Sequence, residues 1–266
     1  FAPFQTNRSY LHHRAGESVG LHYKMHWPHR QREASRPVRK SPIHDRLAAR
    51  NACFGEAMGW ERPLWFAPEG VDSKDVYSYH SPNWFAYTAK ECRAAREGVV
   101  VFDQTSFGKH LIEGRNACAF LQRMCAGDVD TPVGKLVYSH MLNRRGGVET
   151  DITVNRLAED RYLIVSSATT HPRDKAWIEK QMTREEHVTL TDITSGYSVL
   201  SVQGPISRDL LGRITDADLS NEAFPFATSQ EIDIGYARAI ANRLTYIGEL
   251  GWELHIPSEF TQGVFD

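Results

Sequence analysis

The sequence is poor in the features that would settle a function class at once. No apolar run approaches the roughly 20 residues that a membrane-spanning helix needs, and the amino end lacks the basic, apolar and small-residue regions of a signal peptide. A soluble chain is expected. Net charge is nearly absent, with 31 Lys+Arg against 33 Asp+Glu, so no global field recruits nucleic acid or an anionic membrane. Any anionic ligand has to be met by a local site. Cysteine is scarce: Cys53, Cys92, Cys118 and Cys125 show no CxxC spacing, which argues against a zinc ribbon or a redox pair. Reduced, mostly buried thiols are expected, as in a cytosol or a mitochondrial matrix. Gly-x-Gly-x-x-Gly after a strand is missing, so no Rossmann site for a flavin is expected here. Gly-x-Ser-x-Gly is missing too, and no Ser-His-Asp triad is indicated.

What is present is enough for a folded body: 266 residues, 41% of them hydrophobic, suffice for one large domain or two ordinary ones. Residues 1–45 have a different texture, rich in Arg, His and Pro with little periodicity, and read as a connecting segment. Their basic and aromatic mixture has no nucleic-acid motif behind it. His12, His13, His22, His26 and His29 give no convincing ligand set, so ordinary polar contacts are expected of them. The sequence starts at Phe1 without a methionine and stops at Asp266 in an apparently helical run, which suggests a piece of a longer polypeptide.

Apolar spacing predicts helices at about Tyr87–Arg96, Ala117–Cys125, Arg173–Met182 and Ile206–Arg213. Strands are predicted at Val99–Asp103, expected to be buried by its β-branched run, and at His110–Glu113. A meander is predicted over Lys135–Met141, Val148–Asn155 and Arg161–Ser166, its first turn at Arg144–Gly147, with further strands at 187–191 and 197–202. Strands mixed with helices, without βαβ alternation, indicate an α+β fold of mostly antiparallel sheets with flanking helices.

Two segments could carry chemistry. In Arg243–Leu254, apolar and β-favouring residues flank Gly248 and Gly251, so two short strands joined by a turn would project Tyr246 and Glu253 from neighbouring strands. A carboxylate beside an aromatic ring suits a flat heterocycle with N–H donors. A surface hairpin with a solvated Glu is the other reading of the same spacing. In Gly146–Val154, a strand puts Glu149, Asp151 and Thr153 on one face and Val148, Ile152 and Val154 on the other. Asp151 is then a candidate catalytic carboxylate, or simply an acid that meets water.

The Gly-Gly-x-x-x-Asp strand, the Val202–Pro205 turn and the Tyr246–Glu253 segment occur in the order of the glycine-cleavage T-protein (aminomethyltransferase) family, which the chain resembles over roughly 42–266. Phe54-Gly-Glu, Gly59–Pro63, Phe107–Lys109, Met141–Asn143 and Asp218–Phe226 make it more similar to the folate-binding half of dimethylglycine and sarcosine dehydrogenases, the last of these leaning toward sarcosine dehydrogenase. Residues 1–41 resemble the tail of the segment that joins the flavin domain to it. The resemblance implies the T-protein folate-binding fold, truncated at its carboxy-terminal side, in a flavin-dependent N-methylglycine demethylase. It implies tetrahydrofolate as a small-molecule partner and FAD in an upstream domain of the same polypeptide. By residue, it implies Asp151 beside the reacting folate nitrogens, Tyr246 and Glu253 as pterin contacts, and Tyr138 as a wall of the pocket. Ser167 stands where T-proteins often carry Asn. A stand-alone aminomethyltransferase, or a non-catalytic homologue resembling the regulatory subunit of pyruvate dehydrogenase phosphatase, are the alternatives. A mitochondrial matrix location follows for a eukaryotic source and a cytoplasmic one for a bacterial source.

Overall fold

A computed structural model describes residues 2–266. Its framework is two five-stranded antiparallel sheets and a separate hairpin. The hairpin joins β1 (Ala52–Ala57) to β2 (Trp60–Phe66) through Met58 and Gly59, both at positive φ, the backbone that a two-residue turn needs to match strand twist.

The first sheet has the order β5-β6-β7-β4-β8, from β4 (Gly108–Glu113), β5 (Leu136–Leu142), β6 (Val148–Ala158), β7 (Arg161–Ser166) and β8 (Thr189–Asp192). The second has the order β10-β11-β12-β9-β3, from β3 (Val100–Asp103), β9 (Tyr197–Gln203), β10 (Thr228–Ile234), β11 (Ala237–Arg243) and β12 (Gly251–Pro257). The expected α+β class with antiparallel sheets is what the chain adopts.

Each sheet packs its own apolar face on helices. On the first, α4 (Ala117–Met124) buries Ala117, Phe120, Leu121 and Met124 against Ile112, Ile152 and Ile164, with Ile178 of α5 (His171–Gln181) alongside. Those four α4 positions lie at the i, i+3, i+4, i+7 spacing of one helical stripe, and burying each large side chain contributes about 1.5–3 kcal/mol. On the second sheet, Trp252, Leu254 and Ile256 of β12 pack with Leu200 and Val202 of β9, and α2 (His44–Ala49) and α6 (Ser207–Leu211) cover them.

Three expectations need correction. The segment before residue 45 holds a 15-residue helix, α1 (Arg8–His22), whose Asn7 side chain accepts from the Tyr10 amide at 3.0 Å. The helix buries none of its residues, so it has no apolar stripe for a periodicity search to find. β3 is an edge strand rather than a buried one: Val101 and Phe102 are 42% and 39% exposed, because β-branching fits a pleated edge as well as a core. Of the cysteines, all free thiols, only Cys53 is buried. The strands β10 and β11 had no counterpart in the sequence reading. Helix α3 (Phe85–Glu97) ends before Gly98 as its spacing predicts.

Candidate functional site

The turn between β5 and β6 is built by Asn143. Its Oδ1 accepts from the amides of Arg145 and Gly147 at 3.0 Å each, and its Nδ2 donates to Glu149 Oε1 at 2.9 Å. A side chain on Gly147 would sit 2.9 Å from that Nδ2, so the second glycine of the pair makes room for the asparagine. Glu149 is thus engaged in the turn. Asp151, two residues on and on the same face, is exposed and has one weak protein partner, the Tyr138 hydroxyl at 3.4 Å. Directly across the ladder from Asp151 is His140, whose ring meets Tyr138 edge-on with centroids 5.3 Å apart.

The second sheet presents a polar face to the first. Along β12, Trp252, Leu254 and Ile256 point to the apolar core, so Glu253 and His255 point the other way. Asn242 of β11 is the register partner of Glu253, and its side chain meets His255 Nε2 at 3.1 Å. From the first sheet, Asn155 Nδ2 donates to Asn242 Oδ1 at 3.1 Å and to Ser229 Oγ at 2.8 Å. Asn155 lies on the same face of β6 as Asp151 by strict alternation. The face that carries Asp151 therefore runs into the seam between the sheets that holds Glu253, about 13 Å along the strand at roughly 3.3 Å per residue.

Glu253 is 6% exposed, and among the described residues nothing donates to its carboxylate. Burial alone pushes it up to about 7. A carboxylate so placed is an acceptor without a donor, and a ligand carrying N–H groups would supply one. Glu249, by contrast, has a partner in Arg96 at 3.1 Å.

Tyr246 departs from the predicted geometry. β11 ends at Arg243, and residues 244–250 form a loop with Gly248 at positive φ, so Tyr246 sits on that loop, 90% exposed, rather than on a strand facing Glu253. Partial desolvation, then Asp151, then Tyr246 raise the Tyr138 phenol above its ordinary value. Tyr138, Asp151 and Tyr246 are exposed, whereas Glu253 is buried. The Ser167 hydroxyl bonds Thr169 Oγ1 at 2.9 Å.

Sequence reasoning missed the seam residues Asn155, Asn242 and His255, all with no exposed surface. One signal was available. Trp252, Leu254 and Ile256 alternate with Glu253 and His255, so a reading that assigned Glu253 to the ligand side assigned His255 there too. Lys109, also fully buried, donates to the carbonyls of Thr105 at 2.8 Å and Phe107 at 3.0 Å, and burial brings it down to about 7.

Residues 43–266 match the family described as the GCVT N-terminal domain, and residues 1–41 match the FAD dependent oxidoreductase central domain. The chain is 40% identical to 4-methylaminobutanoate oxidase (formaldehyde-forming) of Paenarthrobacter nicotinovorans, over 100% of its own length and 32% of that protein. It is 34% identical to mitochondrial sarcosine dehydrogenase of Mus musculus, over 93% of its length and 31% of that protein. The chain thus spans about a third of the length of the curated relatives it matches. In fold it is similar to the glycine cleavage system aminomethyltransferase T from Bartonella henselae, with a TM-score of 0.69 and 24% identity over 86% of this chain and 56% of that one. No helix among the described residues is long and apolar enough to cross a membrane. Through residues 43–266, most of its length, the chain belongs to the family of the GCVT N-terminal domain.

Proposed function

We propose that this chain is the tetrahydrofolate-binding part of a flavin-dependent demethylase of sarcosine or dimethylglycine, and that it takes up the released one-carbon unit as 5,10-methylenetetrahydrofolate. The observation that carries this reading is Glu253, a buried carboxylate with no donor among the described residues, in the seam onto which the Asp151 face opens. A pterin offers parallel N–H donors to such an acceptor, and the exposed rings of Tyr246 and Tyr138 offer faces for a flat heterocycle. Bound tetrahydrofolate would supply the nucleophilic amine. Asp151 then orients that amine, stabilises the positive charge that develops on it and takes up or relays its proton. Oxidation belongs to an upstream flavin domain, consistent with the match of residues 1–41 to an FAD dependent oxidoreductase central domain. The compartment would be the mitochondrial matrix in a eukaryote and the cytoplasm in a bacterium.

Titration calorimetry of tetrahydrofolate into the full-length protein is the test. One site per chain, competed by a folate analogue and weakened by Glu253→Gln, is expected; no heat and no competition would remove the reading. A second reading concerns the amine. The relative at 40% identity is named for a longer N-methylated amino acid and for releasing formaldehyde, which supports a wider N-methyl amine class at the oxidative site. Turnover on sarcosine, dimethylglycine and 4-methylaminobutanoate separates the two.

A further inference from the structure

The opposite face of the first sheet, turned away from Asp151, holds a cluster that the folate reading leaves unused. His110 of β4 and Asp192 of β8 are register partners on adjacent antiparallel strands, so their side chains stand side by side. His171, the first residue of α5, lies over them. Its ring stacks on His110 with centroids 5.0 Å apart and planes 10° apart, and its Nε2 is 3.0 Å from Asp192 Oδ2. Gly108 makes this possible, because a Cβ there would stand 2.7 Å from His171 Cδ2.

The arrangement leaves polar atoms stranded. His110 has no exposed surface, yet among the described residues neither ring nitrogen has a hydrogen-bond partner, and the neighbouring Ser166 Oγ is likewise buried and without one. Burial of a neutral imidazole without partners is costly, and such groups ordinarily meet a partner that protein atoms do not provide. The Thr194 amide donates to Asp192 Oδ1 at 3.0 Å, and the Thr194 hydroxyl lies 3.2 Å from His171 Nε2.

We propose that His110, His171 and Asp192 form a three-ligand site for a divalent transition-metal ion of the zinc type, clamping α5 to the sheet. One donor atom from each lies within 4.8 Å of the others. Tetrahedral coordination with bonds of about 2.0–2.1 Å sets donors roughly 3.4 Å apart, a spacing that the 3.0 Å between His171 Nε2 and Asp192 Oδ2 already approaches. Imidazole ligates in its own plane, and the parallel rings must therefore turn. His110 has no hydrogen bond to lose in turning, and the ion takes the place of the proton between His171 Nε2 and Asp192 Oδ2. The nearby Lys175 is engaged with Glu179 at 2.6 Å, and Asp192, about a third exposed, gives an ion its route in.

Full-length protein, stripped with chelator and titrated with Zn²⁺, should bind one equivalent per chain. His110→Phe keeps the aromatic stack and removes both donors, and it should weaken that binding at least tenfold while circular dichroism stays native. Should His110→Phe fail to fold, Asp192→Asn, at the partly exposed edge, should give the same loss. Co²⁺ should produce the visible absorption of a tetrahedral site, read with the flavin reduced. Absence of stoichiometric binding, or binding that neither substitution changes, would overturn the proposal and leave a stacked histidine pair with buried water.

Discussion

Asn155 of one sheet donates to Asn242 Oδ1 of the other at 3.1 Å, a direct side-chain tie across the seam on which Glu253 opens. Asn155 also reaches Ser229 Oγ at 2.8 Å, so its removal strands two buried acceptors at once. Asn155→Ala should destabilise the fold by about 1–3 kcal/mol and loosen the Glu253 strand. Urea unfolding measures the first effect. A loss below about 0.5 kcal/mol would mean that water replaces the asparagine without penalty.

Glu253 should trade stability for binding. Its folded value of about 7 lies above the ordinary 4.5, so the stability tied to its protonated form is complete below about pH 4.5 and is lost as pH rises through about 7. Glu253→Gln cannot ionise and should be more stable than the parent above pH 7 by about 1–3 kcal/mol, with little difference near pH 4. Denaturation at the two pH values tests the sign.

The same substitution should weaken folate, because a neutral amide accepts less strongly from pterin N–H donors; a loss of about 1.5–3 kcal/mol is expected. Glu249→Gln should lose far less, since Glu249 is already engaged by Arg96 at 3.1 Å. Comparable losses in both variants would show that the ligand sits elsewhere.

Asp151→Asn in the full-length enzyme should leave amine oxidation nearly intact and divert the one-carbon unit from methylenetetrahydrofolate to free formaldehyde. Asn keeps the size but removes the charge, which should slow transfer about 10²–10⁴-fold. The ratio of the two products at saturating folate is the measurement. An unchanged ratio would return Asp151 to the ordinary solvated face of a strand.

Gly251→Ala should disturb the loop bearing Tyr246. An added Cβ would lie 2.4 Å from the Gln203 side chain and 2.4 Å from the Val202 carbonyl oxygen, which is backbone and cannot swing aside. A destabilisation of about 1–3 kcal/mol is expected from the forced shift, read as a lowered urea midpoint.

By itself the sequence determined the elements whose burial follows one local period. The α4 stripe of Ala117, Phe120, Leu121 and Met124, the stop of α3 at Gly98 and the turn at Gly146-Gly147 depend on spacing and backbone chemistry within a few residues, and all three are found there. The alternation of β6 likewise puts Glu149, Asp151 and Thr153 on one face. Local pattern misled where partners are distant: α1 has no stripe because it buries nothing, and β3 looks like core although it is an edge. Only the tertiary structure decided which acid is consumed by the Asn143 turn, that Tyr246 rides on a loop, and that Glu253 is enclosed beside Asn242. The physical reason is that a carboxylate's character depends on its desolvation and its donors. Both are contributed by strands far apart in the chain, which no period along one strand can report.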